Sequence, residues 1–246
     1  MARVTDYKAM TQIGWDDAPH LSEQAKTELL ASTPPYLRDA RSKGIPSLGS
    51  GAIYPIPETE ISVDPFDIPE HWKRAAAMDV GWNRTAALWG AINREDGTVY
   101  IYSEYYKGSA EPAIHAQGVR ARGDWMPIAI DPASRGRNQK DGDQLFSIYQ
   151  QLGLKLLPAD NSVEAGLYTV WEMLSTGKLK IFKTLSNTLA EYRLYRRNEK
   201  GNIVKENDHL MDCLRYFCMT SVNIASYKPA PRRKIVRATG NRITGY

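Results

Sequence analysis

Two apolar runs separated by a polar turn dominate the middle of the chain. Ala75 to Met78 leads to one carboxylate, Asp79; Val80 and Gly81 follow, then a turn at Asn83 and Arg84 and a second run from Thr85 to Ile92. Runs of this length bounded by turn residues predict buried strands, here over 73–80 and 84–93. A third strand is expected at 98–106, where the pattern alternates and is rich in aromatics. Arg94-Glu-Asp-Gly97 between the last two reads as a hairpin turn. Three strands with short links predict an antiparallel meander.

Beyond them the pattern switches between helical and extended periods. Helices are expected at 110–122 (Glu111 and Pro112 in the first turn), 143–152, 162–175 with Ser162 as N-cap, 184–196 and 207–223. Strands are expected at 126–131 and 154–157, with a short strand or extended piece at 179–182, and 198–202 reads as a hairpin tip. A meander followed by alternating helices and strands predicts an α/β sheet with helices on both faces. In such sheets, sites collect at the carboxyl ends of parallel strands.

Residues 1–70 read differently. A helix is expected over 21–32, with Ser22 as N-cap and a stop at Pro34 and Pro35. One or two helical turns at 36–42, a Gly/Pro/Ser loop at 43–51 and a short strand at 52–56 follow. Pro55, Pro57, Pro65 and Pro69 keep 55–70 extended. The Gly-rich loop lacks the Lys-Ser or Lys-Thr of a phosphate-binding loop, so the chain shows no ATPase motif.

Composition adds little: 246 residues, 42% hydrophobic and 24% charged, exclude a mainly disordered chain. No run approaches the roughly 18 apolar residues of a membrane span. Cys213 and Cys218 lie in one apolar segment and read as reduced core residues. The net charge of +4 is unevenly distributed: no acidic residue follows Asp212, whereas Arg215, Lys228, Arg232, Arg233, Lys234, Arg237 and Arg242 are basic. That tail suits either a polyanion contact or a solvated terminus.

The carboxylates carry the candidate chemistry. Asp79 ends the first strand and Asp131 the fourth, each behind small or apolar residues. Neighbouring buried strands would bring them together, and two close carboxylates repel unless a cation intervenes. Mg²⁺ takes a few carboxylate oxygens and keeps waters. Asp208 and Asp212, four apart, share one face of the last helix. Structural roles compete: a dipole contact for Asp208, pairing of Asp212 with Arg215 or Lys205, a loop or capping role for Asp131. Glu104 faces either the site or the core edge, Asp141 and Asp143 fall in a polar loop, and His209 is a candidate for holding a phosphate or leaving group. Arg193, Arg196 and Arg197 form a basic cluster that suits DNA or solvent.

Asp79-Val-Gly-Trp with its hairpin, Ala129-Ile-Asp131-Pro-Ala-Ser-Arg, and Asn207-Asp-His-Leu-Met-Asp-Cys-Leu-Arg-Tyr216 together resemble the nuclease domain of large terminase subunits, the motors that package DNA in tailed bacteriophages. The last segment is similar to that family's Asp-His-x-x-Asp-Ala-x-Arg-Tyr pattern, with Cys213 where Ala is usual. Trp15-Asp-Asp-Ala-Pro-His-Leu21 resembles the stretch after the ATPase domain of full-length subunits.

The resemblance implies an RNase H-like fold: a central five-stranded mixed sheet with helices on both faces. It implies a metal-dependent endonuclease cutting double-stranded DNA, the concatemeric viral genome, with two Mg²⁺ or Mn²⁺ ions about 3.5–4 Å apart. Asp79 would bridge them, Asp131 and Asp208 would each complete one, and Asp212 would be a second ligand or orient the first. Arg84, Arg135, Arg137 and Lys140 would hold DNA phosphates. The implied partners are double-stranded DNA, the terminase small subunit, the ATPase domain and the portal, in the host cytoplasm and with no membrane. On this reading, 1–70 is an extension that would follow a missing ATPase domain, 71–226 the nuclease domain and 227–246 a basic tail. The alternatives are a non-catalytic DNA-binding or scaffold module and a junction-resolvase-like nuclease.

Overall fold

The computed structural model describes residues 3–5, 8–10, 14–32, 42–43, 51–81, 83–132, 142–198 and 201–230. The expected turns at 36–42 and most of the loop at 43–51 lie outside them. The helix Glu23–Ser32 (α1) forms, and the Ser22 hydroxyl accepts the Ala25 N–H at 3.2 Å, as its N-cap position requires.

One mixed sheet organises the rest. Its strands are Ser62–Val63 (β1), Lys73–Val80 (β2), Thr85–Ile92 (β3), Val99–Lys107 (β4), Pro127–Ile130 (β5), Lys155–Pro158 (β6) and Leu179–Phe182 (β7). They stand in the order β1-β7-β4-β3-β2-β5-β6. The meander is antiparallel, with Asp79 opposite Ala86, while β5 joins β2 in parallel. The sheet is seven-stranded rather than five-stranded because β1 and β7 extend the β4 side in parallel pairing. The hairpin turn at 93–98 is as expected, with Gly97 at φ +74°, a conformation that suits a residue without Cβ. The short strand expected at 52–56 is a single bridge from Ala52 to Arg196, since Pro55 and Pro57 remove ladder donors.

Helices cover both faces. Pro112–Arg120 (α3) and Gly142–Gln151 (α4) lie over one, where Ala76, Met78, Ala87, Trp89, Ile128 and Ile130 pack with Val119 and Tyr149. Val163–Ser175 (α5), Ser186–Leu194 (α6) and His209–Tyr216 (α7) lie over the other, against Ala75, Ala77, Ala86, Leu88 and Ala129. Ser162 stands at the N-cap of α5 but makes no side-chain cap bond. The short helix Glu58–Ile61 (α2), with Tyr54, brings residues ahead of the meander into this second core.

The small residues of β2 and β3 let α7 and its continuation lie close to the sheet. A Cβ on Gly90 would stand 2.3 Å from Phe217 Cζ, so that ring needs a glycine beneath it. The expected single helix over 207–223 starts at His209 and widens into a π-helical segment, Phe217–Ser221, whose Ser221 hydroxyl donates to the Ala76 carbonyl at 2.8 Å.

Candidate active site

Strand parity fixes where the first two carboxylates point. Ala75 and Ala77 belong to the core under α7, so Asp79, two residues on, faces the same way. Ala129 pairs with Ala77 and Ile130 with Met78, and the Asp131 N–H continues the ladder to the Met78 carbonyl at 3.1 Å. Extending the register by one residue sets Asp131 beside Asp79. The expectation that adjacent strands bring the two together is met.

The third side of the site is the start of α7. His209 Nδ1 lies 2.8 Å from Asp79 Oδ2, linking helix and strand across 130 residues of sequence. Below it, the buried Cys213 thiol donates to the Ala86 carbonyl at 3.5 Å. Asp212 is held twice: Arg215 Nη2 donates to Oδ1 at 2.9 Å and Lys205 Nζ to Oδ2 at 3.3 Å. Lys205 also lies 3.0 Å from Asp208 Oδ2, an oxygen that is buried and accepts no well-directed hydrogen bond. Both structural partners weighed for Asp212 are therefore present at once.

The electrostatics follow from this crowding. Burial raises the Asp79 carboxyl pKa above the usual carboxylate range. The hydrogen bond from His209 works against that rise, and the charges of Asp212 and Asp131 add to it. The bond to Asp79 lifts His209 above the usual imidazole range despite its partial burial. Burial opposes the Lys205 charge, but Asp212 and Asp208 outweigh it and its pKa ends above the ordinary lysine value. Tyr216, next to Arg215, is raised first by burial and then by Asp131, Asp212 and Asp79, so its hydroxyl senses three of the four aspartates.

A divalent metal suits the chemistry of this donor set: Asp79 and Asp131 at neighbouring strand ends and Asp208 and Asp212 at the start of α7, one with an under-used buried oxygen, are hard oxygen ligands. As arranged, no group of three or more His, Cys, Asp or Glu side chains among the described residues is spaced to hold an ion, and Lys205 and Arg215 pair with the helix carboxylates. Lys205 is 59% exposed at its side chain and can swing into solvent.

Other candidates resolve elsewhere. Glu104 does not face the site: its carboxylate accepts Asn187 N and Nδ2 at 3.1 and 2.8 Å and Thr188 N and Oγ1 at 2.8 and 2.6 Å, capping α6. Arg193 pairs with Glu58 and Arg197 with Glu164, so two of the three arginines of the expected cluster are engaged within the chain. Arg84 lies with its guanidinium 4.5 Å from the centre of the Tyr106 ring. Arg135, Arg137 and Lys140 lie outside the described residues, as do Trp82, Asp141 and 231–246.

One residue escaped the sequence reading. Glu191, on α6 and 3% exposed, accepts the Leu210 and Met211 N–H groups at 2.6 and 3.4 Å and the Tyr106 hydroxyl at 2.6 Å. Burial pushes its pKa up to about 7 against these hydrogen bonds. Its neighbours Leu189, Tyr192 and Tyr195 are all buried, and a glutamate at that position on a buried face was the available signal.

A family model described as the terminase RNaseH-like domain matches residues 76–220, from inside β2 to the π-helical segment and thus through all four aspartates. The chain belongs to this family. The large terminase subunits of Salmonella phage P22 and Enterobacteria phage LP7 are each 35% identical to it over 211 residues, 81% of this chain. The chain spans 42% and 44% of the lengths of these relatives. The solved nuclease domain of the P22 large terminase superposes with a TM-score of 0.68 at 30% identity, covering 73% of this chain and 96% of that domain. The RNase H-like fold of this terminase family is thus the fold observed. No helix among the described residues is long and apolar enough to cross a membrane.

Proposed function

We propose that this terminase-family chain is a metal-dependent endonuclease domain that cuts double-stranded DNA, the concatemeric viral genome, during packaging in the host cytoplasm. The observation that carries the reading is that Asp79 and Asp131 each follow the Met78–Ile130 pair at the ends of adjacent parallel strands, beside a helix that carries Asp208 and Asp212 at its start. Membership of the family and the likeness to the P22 nuclease domain support it.

Two Mg²⁺ or Mn²⁺ ions, when bound, would stabilise the attacking and leaving oxygens of a phosphodiester. Asp79, central and flanked by the others, would be the shared ligand, and Asp131 would serve one side. Of the two helix carboxylates, Asp212 acts more strongly on the charge of Asp79. Asp208, at the start of α7, and Asp212, one turn on, are the two candidates for the third ligand. His209 holds Asp79 through Nδ1 and keeps Nε2 to donate to a phosphate oxygen. Arg84, Arg135, Arg137 and Lys140 would grip the backbone without reading sequence. The small subunit, the ATPase domain and the portal are the partners this reading implies, and residues 71–226 the nuclease unit.

The test is incubation with supercoiled plasmid and Mn²⁺ or Mg²⁺. Wild type should nick and linearise it, and Asp79→Ala should not. Equal cutting by both would remove Asp79 from the site, and no cutting by wild type would favour a scaffold module.

A further inference from the structure

We infer that Glu191 is a positioning residue of this site: by capping α7 from another helix it leaves the Asp208 carboxylate to the site. The inference rests on the nuclease reading for its functional meaning, but its structural content stands on geometry alone. A residue at an N-cap ordinarily accepts the N–H of the second or third helical residue through its side chain, with an extended backbone. Asp208 stands at that position in α7, and Leu210 and Met211 are the second and third residues. Yet Asp208 has φ −115° and ψ 8°, not extended, and makes no side-chain cap bond. The two N–H groups it would serve go to Glu191 Oε2 instead.

Three features fix that substitution in place. Glu191 Oε1 accepts the Tyr106 hydroxyl from β4, and Tyr106 stacks under Arg84 in the turn that follows Asp79. Asn207, just before Asp208, has φ +52°, a left-handed turn that brings the chain into the helix from an unusual direction. Asp208 Oδ2 is buried without a well-directed hydrogen bond, with the Lys205 ammonium 3.0 Å away, so the carboxylate relieved of capping is not used up by the helix. The cap is thus supplied by a residue that does not have to bind anything else.

The experiment is a double-mutant cycle on the full chain, melted in chelator, with Glu191→Ala and Asp208→Ala singly and together. Asp208→Ala alone should move Tm by less than about 2 °C. In the Glu191→Ala background it should cost about 3 °C or more, because Asp208 then takes over the cap. Equal Asp208→Ala shifts in both backgrounds would overturn the inference. Should Glu191→Ala not melt cooperatively, Glu191→Gln and Tyr106→Phe, which weaken the cap without emptying it, take its place in the cycle under the same criterion.

A second readout separates positioning from bulk stability. Calorimetric Mn²⁺ titration should weaken about tenfold in Glu191→Ala and recover to within about threefold in Glu191→Gln. In plasmid cleavage, kcat should fall while the KM for DNA holds. Wild-type Mn²⁺ affinity in Glu191→Ala overturns the inference. A wild type that cuts no plasmid while the melting cycle still shows coupling overturns the nuclease reading and not this one.

Discussion

The helices α6 and α7 pack against each other, and each is capped at its start by a glutamate from another element. At the start of α6, Glu104 uses both oxygens on four donors, two backbone and two side-chain. Nothing there is left over for a ligand. At the start of α7, Glu191 does the same work, but the aspartates beside it are crowded: Asp212 and Asp79 are bonded, their charges repel, and Asp208 keeps a buried oxygen without a well-directed hydrogen bond. One start uses up its carboxylate for structure. The other keeps a carboxylate in reserve at a cost in stability, which is where functional sites are expected to depart from optimal packing.

The sharpest break in that comparison is Asp79→Ala. It should lower plasmid cleavage by about a thousandfold or more, about 4 kcal/mol of transition-state stabilisation. Because burial and neighbouring charges already disfavour the Asp79 carboxylate, the melting temperature in chelator should hold or rise. A matched loss of Tm would mean that Asp79 is structural.

Glu104→Ala is the mirror experiment. It leaves two backbone donors and two side chains without an acceptor, and should cost about 3 kcal/mol of stability in urea melts. Mn²⁺ affinity measured by calorimetry should stay within a factor of two of wild type. If it falls in step with stability, the two helix starts are one unit and the contrast between them fails.

A smaller effect separates the glutamates by pH. The folded Glu191 pKa of about 7 is raised from its ordinary 4.5. For an acid shifted upward, the native state holds its proton longer. The contribution to stability is then complete below the unfolded value and is lost as pH climbs through about 4.5 to 7. The loss should amount to about 3 kcal/mol in total. Wild type should therefore lose stability relative to Glu191→Gln between pH 5 and pH 7.5, read as diverging urea midpoints. Parallel midpoints would show that Glu191 is ionised throughout.

These contrasts were only partly legible in the sequence. Asp79 and Asp131 were readable because each ends an apolar run, and the period of two then fixes the face. The meander was readable from alternation and the turn ending in Gly97. β1 was not, because two residues among prolines carry no period of their own and exist only through pairing with β7. Glu191 was only faintly signalled, for a related reason. Its helix reads as polar, and the burial of that carboxylate depends on Tyr106, 85 residues earlier, and on backbone donors at 210 and 211. The His209 bond to Asp79 likewise spans two elements that no local pattern connects. What the local pattern lacks is tertiary proximity, and a family motif carries part of that across, as Asp208 to Tyr216 did here.

Lys205 gives the finest test, since it distinguishes a carboxylate in reserve from one already satisfied. Its ammonium lies between Asp208 and Asp212 at 3.0 and 3.3 Å, where a cation would be useful, yet its side chain is mostly exposed. A pair whose ammonium is this well solvated is worth about 1 kcal/mol. Lys205→Met should therefore lower stability in chelator only slightly, and should tighten Mn²⁺ binding by about three- to fivefold by removing the competing charge. If Lys205 were instead a structural clamp, like the donors around Glu104, the variant would lose stability and metal affinity together. A calorimetric titration beside a melt separates the two outcomes, and weaker binding in Lys205→Met would show that the α7 carboxylates need that lysine to stay in place.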